Sequence, residues 1–134
     1  MRWRTPEYYS DFTDNFDRNP TTGALATVTN EDSINQSIRN LVLTRPGSRP
    51  GRNAIGSKVM SSLFDLATPA TLDVLQSTIE NVIANYEPRA ENVVVTIDRS
   101  AATLMSSSIS VTITYQPVNL PQTVSLSLDL KRTR

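Results

Sequence analysis

The sequence predicts an α+β fold: three helices packed on one face of a small antiparallel sheet, with the C-terminal strands forming the sheet. Two observations lead there. Apolar residues recur at helical spacing as far as Tyr86, and from Val93 onward they alternate with polar ones. The alternating segments are separated by short spacers, which suit antiparallel neighbours. At 134 residues the chain is one domain rather than two. Its organisation reads as an N-terminal arm over residues 1–22 and a single α+β domain over residues 23–134.

Residues 1–22 are polar, turn-rich and acidic, with Tyr8, Tyr9, Phe12 and Phe16 as apolar anchors. They are expected to dock through those aromatics. Asn19-Pro20-Thr21-Thr22-Gly23 is a turn, and residues 24–28 form a short strand. Asn30-Glu31-Asp32 opens the first helix with a capping side chain and two acids at the positive end of the helix dipole. Ile34, Ile38, Leu41 and Val42 share its buried face. Pro46 and Gly47 end it, and residues 45–56 (RPGSRPGRNAIG) are a loop.

A second, short helix is expected over residues 57–66, with Val59, Met60, Leu63 and Phe64 inward. Thr68 caps the third helix and Pro69 takes its first position, where a missing N–H costs nothing. Leu72, Leu75, Ile79, Val82, Ile83 and Tyr86 line its apolar face. Pro88 bars Glu87 from helical geometry and ends it. Three strands follow. They carry Val93, Val95 and Ile97; then Ile109, Val111, Ile113 and Tyr115; then Val124, Leu126, Leu128 and Leu130. Ser and Thr fill the opposite face of the second of these, and Ser125, Ser127 and Asp129 that of the third.

Composition excludes much chemistry. The chain has no Cys, so no disulfide scaffold, thiolate nucleophile or Cys-based metal site. It has no His, which removes Ser-His-Asp and Cys-His catalysis and His-based zinc sites. Thirteen basic and thirteen acidic residues cancel, so bulk attraction to nucleic acid or membrane is not expected. No apolar run reaches the roughly 20 residues of a membrane span, and the N-terminus lacks the apolar stretch of a secretory signal. Paired carboxylates are the remaining catalytic option. The near pairs Glu31/Asp32, Glu80/Glu87 and Glu87/Glu91 are each explained by helix-start or solvated charges. No catalytic, metal or cofactor residue is assigned.

Three features suit a partner instead. Between Ser33 and Phe64 lie five basic residues and no acid. Arg45, Arg49 and Arg52 fall in the loop, which reads either as solvated or as a contact with an acidic surface. Glu87-Pro88-Arg89 reads either as a helix stop with two exposed charges or as a rigid recognition element. The last strand, with Val124, Leu126, Leu128 and Leu130, reads either as an edge blunted by the Lys131-Arg132-Thr133-Arg134 tail or as a template for an added strand.

The ordered set of segments resembles a known family. The matching stretches are Ser10-Asp11-Phe12, Asn30-Glu31-Asp32-Ser33-Ile34, Gln36-Ser37-Ile38-Arg39-Asn40-Leu41, Thr44-Arg45-Pro46-Gly47-Ser48-Arg49-Pro50, Gly56-Ser57 leading to Leu63-Phe64, and above all Asn85-Tyr86-Glu87-Pro88-Arg89. Together they resemble the baseplate wedge and sheath-initiator family of contractile-tailed phages, shared with type VI secretion baseplates and related contractile injection systems. The resemblance implies a structural virion protein, not an enzyme, assembled in the host cytoplasm into the tail baseplate in multiple copies of a six-fold assembly. Implied partners are baseplate wedge proteins and the tail sheath protein, with tail tube or hub proteins as further candidates. It implies no cofactor, nucleic acid or membrane.

Glu87, Pro88 and Arg89 inherit an anchoring role toward the wedge core. The resemblance implies that the sheet pairs with extended arms of the first sheath ring, and residues 122–130, with Val124, Leu126, Leu128 and Leu130, are the expected template strand beside residues 109–115. Arg45, Arg49 and Arg52 stand as secondary contacts. Gly51-Arg52-Asn53-Ala54 departs from the family, which tends to place an aromatic and acids there. The alternatives are a lysozyme-like peptidoglycan hydrolase, a label some family members carry and these residues do not support, and a small regulatory adaptor of similar fold.

Overall fold

The computed structural model describes residues 8–63, 68–100 and 107–131. The end of the expected second helix with Phe64, the first residues of the arm, part of the 99–103 spacer and the tail beyond Lys131 lie outside the described residues. In chain order the elements are β1 (Ser10–Phe12), β2 (Thr27–Thr29), α1 (Asn30–Leu43), α2 (Val59–Ser62), α3 (Pro69–Tyr86), β3 (Ala90–Ile97), β4 (Ser108–Pro117) and β5 (Val124–Lys131). The three C-terminal strands form an antiparallel sheet in the order β3-β4-β5, and β1 and β2 make a separate two-stranded ribbon. The architecture is the α+β arrangement expected from the sequence.

The core follows the two periodicities. Ile34, Ile38 and Val42 of α1, Leu72, Leu75, Ile79 and Ile83 of α3, and the inward residues of all three long strands form one buried cluster. Tyr86 is the exception on α3. It is partly exposed, and its hydroxyl reaches the Ala54 carbonyl at 2.8 Å, fastening the long loop to the helix end. Thr68 caps α3 as expected: its Oγ1 accepts from the Thr71 N–H at 3.2 Å, and Pro69 fills the first position.

Two local expectations are corrected. Asn30 does not stand outside α1 as its cap. Thr29 holds that position without a side-chain cap bond, and Asn30 carries a positive φ of 50°. The Asn30 carboxamide oxygen instead accepts from the Tyr8 and Tyr9 N–H groups. The arm, too, does not dock through four aromatics. Tyr8, Phe12 and Phe16 are exposed, and Tyr9 alone packs against the core. Backbone pairing holds the rest, with Ser10, Asp11 and Phe12 opposite Thr29, Val28 and Thr27. A ribbon of three residues per strand is too short to bury a full row of side chains.

The 45–56 loop is closed at its base. Ser57 donates its N–H to the Thr44 carbonyl and its Oγ–H to that of Val42. Gly56 makes this approach possible: a Cβ there would lie 2.6 Å from the Thr44 oxygen, at a φ of +132°. Gly56→Ala is expected to cost roughly 3 kcal/mol of stability through strain and overlap, read as a lowered midpoint in thermal or urea unfolding. An unchanged midpoint would mean that the loop base yields freely.

Candidate functional site

Two surfaces carry the sequence-derived candidates: the junction between α3 and β3, and the border of the sheet at β5. The junction begins where Pro88 ends α3. Glu87 leaves helical geometry at φ −124°, ψ 78°, which turns its side chain inward. Only 2% of it is exposed. Arg89 grips it through both oxygens, Nε to Oε1 at 2.6 Å and a terminal nitrogen to Oε2 at 2.8 Å. This is the bidentate fork that suits a guanidinium and a carboxylate. The other terminal nitrogen of Arg89 donates to Ser33 Oγ at 3.3 Å, and Ser33 is fully buried at the start of α1. The guanidinium also sits 5.7 Å from the centre of the Tyr9 ring.

Burial by itself would push the Glu87 pKa up. Hydrogen bonds from Arg89 and Ser37, with the charge of Arg89, outweigh it and hold the carboxyl below its ordinary value. The same bonds to Glu87, opposed by burial, raise the Arg89 pKa. Of the two charges the helix-stop reading expects to be exposed, Glu87 is therefore buried and paired inside the fold. A carboxylate held ionised is also the opposite of what a general acid needs. Among the described residues no group of three or more Asp or Glu could hold a metal ion.

The junction joins four parts of the chain. Tyr9 donates its hydroxyl to the Val118 carbonyl at 2.6 Å, and the Val118 N–H donates to the Arg89 carbonyl at 2.9 Å. Arm, α1, the α3–β3 corner and the β4–β5 turn thus meet around one ion pair. Pro88 remains exposed, and Arg89 keeps about a quarter of its side chain in solvent (27%). Sequence reading missed Ser33, Ser37 and Tyr9 as members of this cluster. Ser33 and Ser37 are polar residues one turn apart, beside Ile34 and Ile38 on the buried side of α1, which is the one signal that could have found them.

Behind the junction, Tyr115 of β4 is fully buried, and its hydroxyl donates to Asn35 Oδ1 at 2.7 Å. Burial, then the charges of Glu31 and Glu87, push its pKa well up. A raised acid stabilises the fold below the unfolded-state pKa near 10, and that contribution is lost as pH rises beyond it. Tyr115→Phe is expected to cost about 1–2 kcal/mol at neutral pH and to flatten the loss of stability above pH ~10, read by urea melts across pH. A variant with wild-type alkaline sensitivity would assign that sensitivity elsewhere.

At the sheet border, β5 pairs with β4 alone among the described strands. The direction of its peptide groups follows from the ladder. The Val95 N–H points away from β4, to Glu80 Oε1, and the Asp98 N–H points to the Ser110 carbonyl. Residues alternate along an antiparallel strand, so Thr96 and Asp98 bond to β4 through Thr112 and Ser110. On β4, Ile109, Val111, Ile113 and Tyr115 therefore face β5. Their partners are Leu130, Leu128, Leu126 and Val124. These four candidate residues already direct their peptide groups to β4, and Leu126, Leu128 and Leu130 are buried in the core. The peptide groups turned to the outer border belong to Ser125, Ser127, Asp129 and Lys131, all exposed. The inward Leu pattern, legible in the sequence, hid them.

Arg45, Arg49 and Arg52 are exposed in the loop. Arg49 lines a shallow cleft with Asp11, Ser37, Asn40 and Leu41. The structure does not bring the three together with Glu87-Pro88-Arg89 in one site.

Comparison with known proteins covers the junction and stops short of β5 in the family match. A family model described as baseplate wedge protein gp25 matches residues 28–121. The baseplate wedge protein gp25 of Enterobacteria phage T4 is 37% identical over 65 residues, covering 48% of this chain and 49% of that protein. The aligned stretch thus spans about half the length of the curated relative. Among solved structures, a candidate tail lysozyme from Geobacter sulfurreducens superposes with a TM-score of 0.68 at 24% identity, covering 78% of this chain and 92% of that one. A chain of the anti-feeding prophage baseplate gives 0.59 at 20% identity, covering 94% and 87%. A chain of a type VI secretion baseplate complex gives 0.60 at 17%, covering 73% and 89%. At these identities the structural likeness establishes the fold alone.

Proposed function

This chain belongs to the baseplate wedge protein gp25 family, whose place is the virion tail baseplate among other baseplate proteins, and on that premise we propose that it seeds the contractile sheath by strand addition while anchored to the wedge core. The observation that carries the reading is the outer border of β5. Ser125, Ser127, Asp129 and Lys131 turn their peptide groups outward there, and no other described strand pairs with them. Such a row accepts an extended segment through main-chain bonds, and alternating side chains fix its register. The core-facing Val124, Leu126, Leu128 and Leu130 serve by holding the strand flat against β4. The first sheath ring supplies the segment.

Anchoring falls to the junction. Pro88 and the solvent-facing part of Arg89 form the contact with the wedge, and Glu87 fixes the guanidinium's direction. Arg45, Arg49 and Arg52 add secondary contacts to wedge, tube or hub proteins. Residues 1–22 act as an arm clamped to the 23–134 body by Tyr9. A baseplate relative in a six-fold symmetrised assembly supports multiple copies around a ring. Repetition would let modest single contacts add up to an avid template.

The test is sheath polymerisation on baseplates carrying this chain or a variant with the β5 border blocked. Blocked borders are expected to leave baseplates assembled and bare of sheath. Normal sheaths would end the template reading. The fold likeness to a candidate tail lysozyme supplies a second reading, peptidoglycan hydrolysis. Release of fragments from cell walls, lost in Glu87→Gln, would support that reading. The ionised, buried state of Glu87 weighs against it.

A further inference from the structure

A three-stranded sheet has two borders, and strand addition at β5 alone requires that β3 refuse a strand. The β3 border has its own devices. Asp73, Gln76 and Glu80 of α3 are spaced three and four residues apart, so they share one flank of the helix. Glu80 Oε1 accepts the outward N–H of Val95 at 3.3 Å. The Gln76 side chain donates to the same Glu80 oxygen at 3.4 Å. Arg99, just past the end of β3, donates to Asp73 and to Gln76. The row therefore runs antiparallel to β3, from Val95 to Arg99. Nearer the start of β3, a bulge between Glu91 and Val94 breaks the register, with Asn92 at a positive φ of 50°.

We infer that the Asp73–Gln76–Glu80 row, with the bulge, closes the β3 border and so makes this sheet accept a strand at β5 only. Glu80 is the specificity-determining residue, because it occupies a main-chain donor that an incoming strand would need. Without it the chain would carry two open borders. Copies could then pair β3 to β3 about a two-fold axis, or β3 to β5 in an open row. Either outcome would consume the template before the sheath arrives. The inference rests on the strand-addition reading for its purpose, but its physical content belongs to the isolated chain.

The experiment uses the full chain alone. Glu80→Met keeps length and helix preference but removes the acceptor. The Val95 amide is expected to exchange with solvent about tenfold faster in Glu80→Met, the usual scale for losing one such bond. The Thr96 amide, bonded to β4, should not change. Sedimentation of Glu80→Met should show a new, concentration-dependent association absent from wild type. Glu80→Gln retains an acceptor oxygen and should restore both behaviours. An unchanged Val95 exchange rate, or lost protection without new association, overturns the inference. If Glu80→Met fails to fold, an unprotected Val95 amide in the wild-type chain overturns it equally. Normal sheath growth on blocked β5 borders would instead sink the strand-addition reading and leave these results standing.

Discussion

Ser127→Pro is expected to leave the isolated chain folded and to reduce sheath seeding at least tenfold. Proline removes a single backbone N–H and holds φ near −65°. At Ser127 that N–H faces outward and serves no bond to β4, by the alternation that places Leu126 and Leu128 opposite Ile113 and Val111. Proline is tolerated on border strands in this orientation. The fold should lose about 1 kcal/mol or less, while an incoming strand loses a donor and meets a ring in its path. Leu128→Pro is the matched control. Its N–H is directed to β4 and its side chain is buried, so the expected cost is about 3 kcal/mol or more. Folded Ser127→Pro protein that seeds sheaths normally would remove β5 as the template.

Arg89→Ala is expected to lower stability by about 3 kcal/mol, because it strands a buried carboxylate whose partner is gone. For a chain of this size that corresponds to a melting temperature lower by roughly 10 °C. The pH dependence has a definite sign. Glu87 titrates lower in the folded chain than in the unfolded one, so its contribution is complete above the unfolded carboxylate value near 4.3 and fades as pH falls through the folded value. Wild type should therefore lose stability in acid more steeply than the Glu87→Met/Arg89→Leu double variant, which is expected to recover part of the loss. An Arg89→Ala chain that melts like wild type would show that water reaches Glu87 and satisfies it. Wedge incorporation must accordingly be compared with variants of matched stability. Gly56→Ala, expected to cost a similar roughly 3 kcal/mol at the base of the loop, provides one.

The elements were largely legible before any coordinates. The third helix is bounded by Thr68-Pro69 and by Pro88, residues whose own covalent chemistry sets backbone geometry, and its ends fall where that chemistry puts them. The long strands announce themselves by alternation, because a pleated strand with one buried face has no other pattern available. The arm was less legible. Its four aromatics look like anchors in sequence, yet three remain in solvent, because short ribbons are held by backbone pairing rather than by side-chain burial.

Glu87 and Arg89 mark the boundary of what local pattern conveys. Their identities and the intervening proline are plain in the chain. That one buries the other depends on Ser33 and Tyr9, which lie tens of residues away. The same holds at the sheet borders, since a strand's sequence shows which side chains face inward but not which neighbour its peptide groups meet.

Sequence by itself determined the helical and alternating segments, their order, the excluded chemistries and the family resemblance, because each depends on neighbours a few residues apart or on residue types alone. Tertiary structure decided that Glu87 is sheathed, that β5 lies at a border among the described strands, and that Glu80 of α3 meets the outward Val95 N–H on the opposite side. Those outcomes depend on contacts between distant segments, whose pairing is fixed only when the whole core closes.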